Sequence, residues 1–265
     1  MTDEEMAKAK GGPIIHIPTV LGAVVITYNL PDVTQPLSLS GDVVADIFLG
    51  KITKWNDGRI ASLNSGVKLP TRDILVVHRA EASGTTYIFS DYLTAVSPAW
   101  SSGPGKGKEL KWPVGLGGKG NDGVSGQVKQ TPGTIGYVEL AYANQNKLPV
   151  AKMKNAAGQF VVPTIASITA AAAGAVEKLP PTTDYRVSIV NAPGAQAYPI
   201  SSFTWLLMYA KQTDATKAKK LTDFLKWALT DGEGSAGALD YAPLPDALSK
   251  QLLEKLASIQ SGTAS

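Results

Sequence analysis

From Gly22 to Leu30 the chain reads GAVVITYNL, nine residues without a charge. A continuous apolar run rich in β-branched residues has no polar side to turn to water, so it predicts a strand buried on both faces. Such a strand needs helices packed on each side, and the flanking sequence supplies them. Further β runs at Ile14–Ile17, Ile74–Arg79 and Gly133–Glu139 alternate with helical patterns at Ser40–Leu49, Tyr87–Val96, Leu140–Asn146, Thr164–Val176 and Ser249–Ile259. Alternation of this kind specifies α/β architecture. Thr2 followed by Glu5 predicts a capped opening helix that ends at Gly11-Gly12. Residues 101–126 are expected to be a glycine- and proline-rich loop, and Val150–Val162 a hairpin turning at Asn155–Gly158. Val187–Val190 and Phe203–Tyr209 read as late strands. Leu221, Phe224, Leu225 and Ala228 then repeat at helical spacing, an apolar stripe meant for the core.

Composition removes several function classes. A formal charge of +3 with a pI near 8.9 is too mild to imply nucleic acid as a partner. There is no cysteine, which excludes disulfide scaffolds, thiolate metal sites and cysteine nucleophiles. Only His16 and His78 are present, both inside β-like runs where an ordinary strand histidine is the simpler reading. Nothing implies a cofactor or a resident metal ion. No stretch reaches the roughly 20 apolar residues a membrane span needs, and the polar N-terminus lacks the apolar segment of a signal peptide.

The segment richest in chemistry is Ile74–Thr86. A buried strand ends in Arg79, and Ala80-Glu81-Ala82-Ser83-Gly84-Thr85-Thr86 leads into a helix. Free amides at a helix N-terminus attract anions. The hydroxyls of Ser83 and Thr85 add donors, Gly84 permits close backbone approach, and Arg79 offers a planar charged fork suited to a tetrahedral oxyanion. The plainer reading is a serine-capped helix beside a surface arginine. Glu81 bears on which anion is preferred: a carboxylate repels an anion unless that anion carries a proton to donate. Phosphate does so at neutral pH and sulfate does not, so Glu81 would favour phosphate. Its plainer role is an ion pair with Arg79. Gly115–Gly120 matches G-x-G-x-x-G in form, but Lys111-Trp112-Pro113 before it is poor strand material, and a glycine loop leading to an Asn121-capped helix fits better.

Arg79–Thr85, together with Phe48–Asn56, Lys111–Gly123, Pro132–Glu139 and Tyr198-Pro199-Ile200, resembles the phosphate-binding proteins of bacterial ABC importers over nearly the whole chain. The resemblance implies a periplasmic-binding-protein-like α/β fold of two lobes joined by crossing strands. Lobe I would comprise 1–23 and 195–265, and lobe II 24–194. It implies a non-enzymatic, periplasmic protein that binds inorganic phosphate between the lobes and delivers it to the permease. Arg79, Ser83, Gly84 and Thr85 would hold phosphate oxygens, and Glu81 would take the place of the family's proton-accepting aspartate. The family usually reads Asp-Gly where this chain has Glu81-Ala82. It also carries an N-terminal strand–helix–strand that this chain is expected to lack. The first lobe would then be incomplete, phosphate binding weak or absent, and exposed sheet edges would favour self-association. The rival readings are a non-transport interaction protein on the same fold and a phosphotransfer enzyme using Ser83.

Overall fold

The computed structural model describes residues 1, 3–176, 179, 183–257 and 259–261. In chain order the elements are α1 (Asp3–Ala7), β1 (Ile14–Tyr28), β2 (Ser38–Leu39), α2 (Gly41–Phe48), α3 (Gly58–Leu63), β3 (Leu75–Arg79), α4 (Gly84–Val96) and α5 (Pro98–Ser102). There follow β4 (Leu116–Gly118), α6 (Gly120–Gln130), β5 (Thr134–Glu139), α7 (Leu140–Asn146), β6 (Lys152–Lys154), β7 (Phe160–Val161) and α8 (Ile165–Val176). The chain closes with β8 (Ser201–Tyr209), β9 (Lys211–Gln212), α9 (Ala215–Ala228), α10 (Asp246–Ala257) and β10 (Gln260–Ser261). The proposed capping residue Thr2 lies outside the described residues.

The main sheet has the order β4-β3-β5-β1-β8. β3 is parallel to both β4 and β5, whereas β1 runs antiparallel to β5 and β8. The two β runs expected at Ile14–Ile17 and Gly22–Leu30 are one strand. β1 continues through Pro18, absorbing it in a register shift between Pro18 and Val20, as a proline in a ladder requires. The strand also changes its use along its length: Ile14–Ala23 pair with β8, and Val24–Tyr28 pair with β5.

Helices cover both faces of the parallel part, and β5 shows how. Gly136 faces α6, where an added Cβ would meet Val124 and Val128 at 3.0 and 3.2 Å. The next residue, Tyr137, faces the other way and stacks on Phe89 of α4 with ring centroids 4.2 Å apart. Phe89 also meets Phe48 edge-on at 4.8 Å, and Trp100 and Trp112 lie further out in the same aromatic cluster. This face is thus closed by large rings and the other by glycine against valine.

Four expectations fail locally. Within the 101–126 loop, Leu116–Gly118 is a strand, recruited as the outer neighbour of β3. Its Gly118 lies so close to α6 that a Cβ would stand 2.8 Å from the Val124 amide. Asn121 does not cap α6; Lys119 holds that position, and the buried Asn121 carboxamide oxygen accepts from the Glu139 amide at 3.3 Å. Val187–Val190 forms no strand. The stripe on α9 is only partly buried: Leu225 is fully covered, but Phe224 is 51% exposed and stacks loosely with Trp227.

Phe89 is fully buried at the centre of the rings. Phe89→Ala is expected to cost about 3–5 kcal/mol, the range for emptying a large aromatic site. Urea unfolding should show it as a lower midpoint with an unchanged slope.

Candidate functional site

Arg79 is the last residue of β3, and five residues later α4 begins. The turn between them is held at four points. Ser83 caps α4, its Oγ accepting from the Thr86 amide at 3.3 Å, while the Ser83 amide donates to the Lys108 carbonyl at 2.8 Å. The phenol of Tyr137 accepts from the Arg79 amide at 3.2 Å and lies 2.7 Å from Thr86 Oγ1. Burial pushes the phenol up to about 12, so it keeps its proton. The phenol oxygen accepts from the Arg79 amide, and either hydroxyl can donate in its bond with Thr86. One buried hydroxyl therefore ties the end of the strand to the start of the helix.

The Arg79 guanidinium has five N–H donors. Nε donates to Glu81 Oε1 at 2.9 Å, Nη2 pairs with the same oxygen, and Nη1 donates to Thr85 Oγ1 at 3.3 Å. Two donors are left over. Glu81 Oε1 also accepts from the Gly120 amide at 3.1 Å, at the start of α6. Glu81 Oε2 is buried and has no partner among the described residues. The hydrogen bond from Arg79 above all holds the Glu81 carboxyl below its ordinary value of 4.5.

Two cavities meet at Arg79. The larger, about 1020 Å³, is walled by Arg79, Ser83, Gly84 and Thr85 on one side and by His16 and Arg186, among others, elsewhere. The smaller, about 310 Å³, includes His78, Glu81, Glu109 and Trp112. Four of the five sequence-predicted residues thus share one wall, and Glu81 stands behind the arginine in the neighbouring pocket. The Ser83 cap takes the Thr86 and Tyr87 amides, which leaves those of Gly84 and Thr85, residues of that wall, without an acceptor in their own helix. Sequence reasoning did not single out Tyr137 or Gly120, nor Arg186 across the cavity. Arg186 is bound by Asp184 and, at 2.8 Å, by Asp3. His78 is a strand histidine: Nδ1–H donates to the Arg79 carbonyl at 2.9 Å, and the ring stacks on Trp112.

The model of the PBP superfamily domain matches residues 1–232. The phosphate-binding protein PstS of Xylella fastidiosa strain Temecula1 is 44% identical over 253 residues, covering 95% of this chain and 68% of its own length. The chain belongs to this phosphate-binding protein family. PstS of Pasteurella multocida is 45% identical over 236 residues, 88% of this chain and 67% of its own. PstS of Methanocaldococcus jannaschii is 44% identical over 257 residues, 91% of this chain and 66% of its own. The chain therefore spans about two thirds of the length of these phosphate-binding relatives. Among solved structures, a phosphate-binding protein from Stenotrophomonas maltophilia superposes with a TM-score of 0.73 at 18% identity, over 96% of this chain and 76% of that one. That likeness shows the periplasmic-binding-protein-like α/β fold.

Two measurements follow from this geometry. Tyr137→Phe leaves the Arg79 amide without its acceptor and is expected to cost about 1–3 kcal/mol in urea unfolding. The lowered Glu81 carboxyl stabilises the fold above its unfolded value and loses that contribution as pH falls through the lower folded value. Glu81→Gln should therefore melt below the parent at pH 7, and the gap should close as the two are titrated below about pH 4.

Proposed function

We propose that the chain binds inorganic phosphate through Arg79, Ser83, Gly84 and Thr85, as the solute-binding component of an ABC importer working in the periplasm and handing phosphate to the permease. The observation that carries this reading is the pair of unused Arg79 donors on the same cavity wall as the α4 N-terminus. A guanidinium fork and the positive end of a helix lie there on one wall, the combination that attracts an oxyanion. The names of the relatives, phosphate-binding protein PstS, agree with it. The two-lobe division at 23/24 is supported by the change of partner along β1, from β8 to β5, at that point.

The Ser83 hydroxyl serves here as a helix cap and a donor to the anion. Its oxygen accepts from the Thr86 amide, and among the described residues no imidazole or carboxylate is hydrogen-bonded to it to activate it as a nucleophile. Glu81 has two duties in this reading. Oε1 fixes the arginine, and Oε2, buried in the neighbouring pocket without a partner, has to turn toward the anion to accept the proton that phosphate carries and sulfate lacks.

Calorimetric titration with phosphate and with sulfate is the test. Phosphate is expected to bind more tightly than sulfate, and Arg79→Ala to weaken phosphate by at least about a hundredfold, the loss of two charge-assisted hydrogen bonds. Glu81→Gln separates the two duties of the carboxylate. A narrowed gap between phosphate and sulfate supports proton acceptance; equal weakening of both anions leaves Glu81 only as the support of Arg79. Heat from neither anion, with the fold intact by circular dichroism, sinks the assignment.

A further inference from the structure

We propose that Tyr241 with Glu139, and Asp240 with Asn144, form a clasp across the junction of the two lobes, one that resists closure of the large cavity and is released when the cavity closes on its anion. The clasp rests on the division of the chain at 23/24 given above, where one edge of β1 changes neighbours. β5 ends on that edge with Glu139 opposite Val24. Ala242 takes over opposite Leu21, the two exchanging amide-to-carbonyl bonds of 2.9 Å in both directions. Gly22 and Ala23 lie between these two partners. Side chains bridge the gap. The Tyr241 phenol donates to Glu139 Oε1 at 3.1 Å, and a Cβ added to Gly22 would stand 3.5 Å from that oxygen and 3.5 Å from Tyr241 Cε1, so the pair sits over the gap itself. Burial, with Glu139 beside it, pushes the phenol up to about 12, so it keeps the proton it donates. A second bond follows on α7, where Asn144 Nδ2 donates to Asp240 Oδ1 at 2.7 Å.

Glu139 and Asn144 belong to the lobe of residues 24–194, and Asp240 and Tyr241 to the lobe that includes 195–265. Gly22, Ala23, Val24 and Glu139 are part of the wall of the large cavity, whereas Asn144, Asp240 and Tyr241 lie outside it. A turn about Gly22–Val24 that narrows the cavity draws apart groups placed outside the pivot, and a hydrogen bond weakens steeply as its partners separate and tilt. The clasp is also connected to the anion site. The Glu139 amide donates to Asn121 Oδ1 at 3.3 Å, and the adjoining Gly120 amide holds Glu81 Oε1, the oxygen that receives Arg79. One half of the clasp therefore shares the start of α6 with the support of the arginine. Because its bonds exist in the arrangement described and are lost on closure, they oppose closure, and the anion has to overcome them when it binds.

The chain contains no cysteine, so spin labels attach only where thiols are placed. Labels on Ser62→Cys of α3 and Lys250→Cys of α10, both exposed positions, report the separation of the lobes. Without phosphate, double electron–electron resonance is expected to give a narrow distribution of distances in the labelled parent. Tyr241→Phe combined with Asn144→Ala, which removes both bonds and keeps the tyrosine ring, should broaden it. Each single substitution is expected to act in the same direction, which keeps the test open if the pair fails to fold. By calorimetry the pair should bind phosphate about tenfold more tightly than the parent, because two net hydrogen bonds no longer oppose closure. A generally loosened fold gives the opposite sign. Unchanged distances in every folded variant overturn the clasp, whether or not the chain takes up phosphate. Broader distances with phosphate binding unchanged or weakened overturn its release on closure. A parent that binds no phosphate sinks the function proposed above, while the distances still decide whether the clasp holds the lobes.

Discussion

Every residue of β1 from Ile14 to Tyr28 except Thr19 is registered against a neighbouring strand, and the strand as a whole serves two partners in succession. Its N-terminal part can be placed only where β8 is, and its C-terminal part only where β5 is. Because β5 is in turn the neighbour of β3, the end of β3, and with it Arg79, is fixed relative to β8. The uncharged run at Gly22–Leu30 is what makes this arrangement stable. A charged side chain there would lie in packed surroundings, and the buried hydroxyl of Thr27 in the run donates to the Pro149 carbonyl.

At the end of β3 the molecule concentrates groups that each depend on another. Arg79 is oriented by Glu81 and Thr85, Glu81 is held by the Gly120 amide, and the backbone of Arg79 is tied to α4 through Tyr137. A guanidinium tethered at three donors loses little further freedom when the remaining two engage a ligand, so affinity is not spent on ordering the side chain. The aromatic cluster beneath serves the same end, since Tyr137 is positioned by its stacking on Phe89 as well as by its hydroxyl.

The sequence made legible whatever local chemistry decides. The strand–arginine–turn–helix unit at Ile74–Val96, the helix at Leu140–Asn146 and the hairpin closing at Asn155–Gly158 are written in apolar period, caps and turn residues, and they stand as read. What was missed belongs to neighbours distant in sequence. Leu116–Gly118 becomes a strand because β3 offers it an edge, with Gly118 allowing α6 to approach closely. Val187–Val190 has the right composition for a strand and no ladder to join. Phe224 follows the helical period yet faces outward. At the site, Arg79, Ser83, Gly84 and Thr85 could be picked out from residue type and order, whereas Tyr137 lies 51 residues from its Thr86 partner and carries no local sign of that role.

The bond between the Gly120 amide and Glu81 joins two stretches separated by 39 residues. It fastens the start of α6 to the turn that follows β3 through a single carboxylate oxygen, the one that also receives Arg79. Gly120 itself sits at φ +69°, a backbone shape that most residues resist. The identity of residue 81 and the path of the turn at 119–121 are therefore not free to drift independently.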